Sequence, residues 1–152
     1  MMGVSIDISA LTPFQEICRK ICLNIPPDYT WQWDTQRNLA FVTMDKQDAE
    51  LVFFPLFKEF SNHWNFNTSS TAEEPIAHLL NAQYGLMPGQ AFFSSRPISE
   101  LVLFVAWWPW GREDKVSMRV GLAPIQQEEL EAGKAFQCLS SWLPLKKEPE
   151  YS

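Results

Sequence analysis

The stretch from Leu101 to Trp110, LVLFVAWWPW, is apolar at every position but lies beside a segment that alternates. After the turn Gly111-Arg112-Glu113-Asp114, the run KVSMRVG places Val116, Met118 and Val120 on one side and polar residues on the other. This pattern predicts a β-hairpin whose second strand has one wet face and whose first strand has none. Both sides of the first strand need a cover: helices, a second copy of the chain, or a client. Trp107 and Trp108 are adjacent, so in a strand they point to opposite faces.

Upstream, Phe14, Ile17, Cys18, Ile21 and Cys22 recur at helical spacing. They predict a helix from Pro13 to Asn24, capped by Thr12 with Gln15 completing a capping box. Pro26-Pro27 stops it. Three short strands are then expected, at 29–34, 39–44 and 49–54, separated by polar turns. The third has an alternative. Asp45 could cap a helix through Asn62, which would put Pro55 inside it at a cost of about 3 kcal/mol. A strand ending at Phe54, with Pro55 opening a short helix through His63, avoids that cost and is the reading adopted.

Residues 65–70 read as a loop. A helix follows from Thr71, with Glu74 completing a capping box, to Gly85, its buried stripe being Ile76, Leu79 and Leu80. A strand is expected near 90–94, then the long hairpin. A last helix opens at Pro124, with Ile125, Ala132, Phe136, Leu139 and Leu143 in its stripe, and Pro144 ends it. The expected fold is α+β: a largely antiparallel sheet with helices packed on it, a two-layer sandwich in the order α-βββ-α-βββ-α. Residues 1–10 read as an N-terminal extension, 11–143 as one domain and 144–152 as a disordered tail.

Composition narrows the function classes. The chain has 152 residues, 46% hydrophobic and 20% charged, which suits one globular domain with its own core. Seven Trp and eleven Phe are many for this length, so part of the aromatic surface is expected to bind partners. The net charge is −6, and basic residues gather no further than adjacent pairs such as Lys146-Lys147, so nucleic acid is not an expected partner. The longest apolar run is ten residues, too short to cross a bilayer, and no signal peptide is read at the N-terminus. The three Cys are read as small buried hydrophobes in a reducing cytoplasm.

No motif carries chemistry. There is no G-x-S-x-G, P-loop or G-x-G-x-x-G. Cys18 and Cys22 fall on the apolar stripe and lack the loop spacing of a zinc site. Glu74 and His78 are four apart, an ordinary surface pair. No catalytic residue, cofactor or metal is assigned.

The segment Leu79-Leu80-Asn81-Ala82, running through Gly85 to Gly89, together with the element order, resembles the Tir-chaperone family of type III secretion chaperones. Residues 11–143 can be laid on that pattern, with the WWPWGRED hairpin end, the 61–70 insertion and the Pro-broken AELVFFPLF as departures. The resemblance implies a bacterial, cytoplasmic homodimer without enzymatic activity that holds an extended segment of a client or effector protein. It places Trp31, Trp33, Phe41, Leu51 and Phe53 in a client groove, together with the first helix. It places Leu103, Val105 and Trp107 or Trp108 in a dimer interface with the second helix. Trp110, beyond Pro109, joins these as an exposed aromatic near the turn. Two other classes stay open: an inhibitor or immunity-type protein that binds a basic partner through residues such as Glu113 and Asp114, and a small ligand-binding domain.

Overall fold

A computed structural model describes residues 8–73, 76–77, 80, 86–110, 114–125 and 132–145. The chain has an α+β fold: helices packed on one six-stranded, fully antiparallel sheet. The elements are α1 (Thr12–Leu23), β1 (Gln32–Asp34), β2 (Leu39–Asp45), α2 (Lys46–Glu59), β3 (Asn62–Asn65), β4 (Ala91–Ser94), β5 (Leu101–Pro109), β6 (Lys115–Pro124) and α3 (Ala132–Trp142). The strand order is β1-β2-β6-β5-β4-β3. A β1–β2 hairpin and a β3-to-β6 meander are thus joined side by side along β2 and β6.

The hairpin read from the sequence is present, with Leu101 opposite Pro124 and Pro109 opposite Val116. The chain itself covers both faces of β5. On one face α1, α2 and α3 pack over Leu101, Leu103, Val105 and Trp107, and over Val116, Met118, Val120 and Leu122 of β6. On the other face Ile76, Leu80 and Leu86 pack over Val102, Phe104 and Ala106.

Phe104 shows how the second face closes. Its ring stacks on Phe92 of β4 at 5.2 Å, nearly parallel. On the other side it lies over Gly121, its register partner on β6. A Cβ at Gly121 would collide with the Phe104 ring atoms. Glycine is therefore required here by close approach, since a strand-interior glycine otherwise costs stability.

Four expectations need correction. Residues 49–54 form helix, not strand. α2 runs through Pro55, with Ala49, Val52 and Leu56 buried beneath it. Pro55 removes one intrahelical hydrogen bond, but the carbonyl concerned belongs to Leu51, a residue exposed to water. Burying that stripe and Phe60 outweighs the proline penalty, at about 2 kcal/mol per large side chain. Residues 62–65 form the edge strand β3, so the order of described elements is α-ββ-α-ββββ-α, and His63 sits on a strand.

The cap of α1 is also displaced. A 3-10 turn, Ile8–Leu11, leads into the helix; Leu11 is the N-cap, and the Thr12 hydroxyl donates to the Ser9 carbonyl at 2.8 Å. Finally, Leu145 does not belong to a loose tail: it bridges Trp31 in parallel. The expected helix from Thr71 to Gly85 and the start of the last helix lie mostly outside the described residues. Within them, Ile76, Ala77 and Leu80 are helical, Ile125 precedes the last helix, and Ala135, Cys138, Leu139 and Trp142 form the buried stripe of α3.

Candidate functional site: an aromatic groove beside the hairpin end

α2 is apolar around most of its circumference. The side opposite its buried stripe carries Leu51 and Phe54, 63% and 71% exposed. A helix of this kind is normally enclosed on all sides. Here one flank is open, and it borders the end of the β5–β6 hairpin.

Between them runs a groove of about 700 Å³. Its helical wall is Lys46, Ala49, Glu50, Phe53 and Phe54. Its hairpin wall is Trp107, Pro109, Trp110, Asp114, Lys115 and Val116. Phe53 and Trp107 form the floor, their ring centroids 4.9 Å apart. Phe53 also meets Phe54, Phe57 and Phe93 at 5.7, 5.2 and 5.9 Å. Phe57 continues the aromatic tract to His63 at 4.7 Å. Trp110 stands at the mouth, 45% exposed.

Backbone bonds set this geometry. The Lys46 N–H, at the start of α2, donates to the Asp114 carbonyl at 2.8 Å, and the Trp110 N–H donates to the Lys115 carbonyl at 2.9 Å. The N-terminus of α2 is thereby tied to the strand that carries the opposite wall. Tyr29 reinforces the junction. Its hydroxyl accepts from the Asp45 N–H at 3.0 Å and donates to Asp48 Oδ2 at 2.6 Å. The bond to Asp48 holds the Tyr29 phenol protonated and pushes its pKa up to about 12. The Lys115 ammonium, 2.6 Å from Asp45 Oδ1, holds the Asp45 carboxyl below its usual range.

The rim carries Lys46 and Lys115 against Glu50 and Asp114, two charges of each sign. Although the chain is acidic, the groove is not. It is an apolar trough with a balanced edge.

The residues expected to form one client groove are dispersed. Trp31 is 2% exposed, inside the helix-covered core. Trp33 lies on the same face against Phe136 of α3, at 5.1 Å. Phe41 is half-buried on the opposite face. Leu51 lies on the outer side of α2, and only Phe53 lies in the groove. Of the expected dimer residues, Leu103 and Val105 are fully enclosed and offer a partner no surface. Trp107 is buried but reaches the groove floor, Trp108 is half-buried on the other face, and Trp110 is the exposed one. Phe54, Phe57 and Pro109 were not singled out from the sequence. The available signal is the run Leu51-Val52-Phe53-Phe54, because four consecutive apolar residues turn through about 300° of a helix, more than one buried stripe covers.

The cysteines carry no sign of reactivity. Burial pushes the Cys18, Cys22 and Cys138 thiols up, Cys22 to about 11. Among the described residues, no cluster of His, Cys, Asp and Glu could hold a metal ion. Within the same residues no helix is long and apolar enough to cross a membrane. No protein family, no curated protein and no solved structure matches this chain.

Proposed function

We propose that this protein is a non-enzymatic protein-binding module that takes an apolar segment of a client or effector protein into the groove between α2 and the β5–β6 hairpin. One observation carries the reading: exposed Phe54 and Trp110 flank an open groove whose floor is Phe53 and the buried Trp107. Large aromatic anchors beside a groove are the usual source of binding energy at protein interfaces. The volume suits two or three large side chains of an incoming segment. The client-holding role implied by the secretion-chaperone resemblance fits this reading, with the binding surface moved from the early strands to α2 and the hairpin. A partner held mainly by acidic residues fits less well, because the groove rim is charge-balanced.

The test is selection from a displayed peptide library, with binders then measured by fluorescence titration. Peptides with two or three apolar anchors are expected. Trp110→Ala and Phe54→Ser should weaken them tenfold or more, corresponding to at least about 1.4 kcal/mol, while the urea midpoint stays in place. Selected peptides indifferent to both substitutions would remove the groove from the account.

A further inference from the structure

On the opposite side of the sheet, we propose a second binding site, for a carboxylate attached to an apolar body and centred on Arg119. It goes beyond the groove and shares no residue with the groove's aromatic floor.

Arg119 lies on β6 in the middle of the sheet, with Phe41 of β2 and Ala106 of β5 as its register neighbours. It is half-buried, and its guanidinium sits 5.9 Å over the Trp108 ring. Among the described residues it forms no ion pair and donates no hydrogen bond, although acids outnumber bases 18 to 12 in the chain. A half-buried guanidinium without an anion is a cost that a folded chain rich in carboxylates has no need to carry.

The next row of the same face places Thr43, Ser117 and Trp108 side by side. Neither hydroxyl has a hydrogen-bond partner, and no sealed side-chain N or O in the described structure lacks one. Both hydroxyls therefore open onto the face rather than into the core. Three polar groups with neither a hydrogen bond nor a counter-ion among the described residues, Arg119, Ser117 and Thr43, thus share one patch between the aromatic rings of Phe41 and Trp108.

The chemistry selects a planar monoanion. The guanidinium fork matches a carboxylate bidentately, and the hydroxyls add donors at its edge. The other cation on this side of β6, Lys115, is paired with Asp45 at 2.6 Å, so one positive charge is on offer and a phosphate dianion is poorly matched. Phe41 and Trp108 suit an aromatic or branched aliphatic body. The carboxylate can belong to a small acid or to an acidic residue of a protein partner.

The experiment follows the arginine Nε–H and tryptophan Nε1–H signals of the full chain by ¹⁵N NMR. The probes are phenylacetate, phenylacetamide and the peptide acetyl-Phe-Glu-amide. Saturable shifts of the Arg119 and Trp108 signals with phenylacetate, but not with phenylacetamide, are expected. Arg119→Met should abolish the Trp108 shift, and Arg119→Lys, which keeps the charge but loses the fork, should weaken binding about tenfold. A response to phenylacetate alone assigns the site to small acids, and a tighter response to the peptide assigns it to a protein side chain. Equal binding of acid and amide, unchanged binding in Arg119→Met, or no saturable shift with any probe would overturn the proposal. Trp110→Ala should leave these shifts untouched, so the two sites fail or stand separately.

Discussion

The two faces of the sheet are built to different rules. Under the helices the rows are closed and mostly aliphatic: Ala40, Val120, Val105 and Phe93 in one, Val42, Met118, Trp107 and Ala91 in the next. On the far side the rows mix rings with polar groups: Gly121, Phe104, Ser94 and Asn62, then Phe41, Arg119, Ala106, Phe92 and Trp64. The first face behaves as a conventional core, with small and large side chains interlocked beneath three helices. The second is closed by stacked aromatics at one end and left partly polar at the other.

The comparison can be broken by substitution. Leu103→Ala, on the helix-covered face, should cost about 2–5 kcal/mol because the surrounding helices cannot collapse onto the cavity. Urea unfolding measures this, and a loss below about 1 kcal/mol would mean that the face is loosely packed. Gly121→Val, on the far face, should cost about 1–3 kcal/mol by driving a side chain into Phe104. Pairing it with Phe104→Leu should recover part of that loss, which separates overpacking from a change in strand propensity.

A smaller effect of opposite sign is expected at the β4–β5 connection. Ser99 and Glu100 have positive φ, 51° and 63°, between Ile98 and Leu101, whose backbones exchange two hydrogen bonds. This is a two-residue hairpin turn of the primed type, which favours glycine at its second position. Glu100→Gly should raise the urea midpoint, with a gain of up to about 1 kcal/mol.

The smallest effect appears only in alkali. Tyr29 has its pKa raised in the folded state, so its contribution is fully present below pH 10 and is lost as the pH rises towards about 12. Tyr29→Phe should flatten that limb of the stability curve, and an unchanged alkaline limb would show that the Asp48 bond does not couple to folding.

Much of the architecture was readable where burial and period agreed. The β5–β6 hairpin follows from an apolar run set beside an alternating one, the α1 stripe from its helical spacing, and the opposed Trp107 and Trp108 from the two-residue period of a strand. α2 is not legible locally because a proline in the run is a local penalty, whereas the burial of Ala49, Val52, Leu56 and Phe60 together outweighs one lost hydrogen bond. β3 was missed because Asn62-His63-Trp64-Asn65 has no apolar alternation; it forms by pairing with Phe92 and Phe93 of β4, its neighbours in register. The groove was not legible at all. It depends on α2 reaching the end of a hairpin sixty residues downstream, and no local pattern encodes that crossing. What the sequence did carry was the excess of aromatic residues, without their destination.

The junction of β2 with β6 has a kinetic consequence. The β1–β2 hairpin and the β3-to-β6 meander can each pair from near neighbours in the chain, but Ala40 must find Val120. Closing so long a loop is the entropically demanding step, so the seam should form late and set the folding rate. During synthesis, β2 leaves the ribosome with one edge unpaired and stays so until β6 follows. For that interval the strand Leu39–Asp45 is an open template, and the nascent chain is most exposed to mispairing just before its last helix emerges.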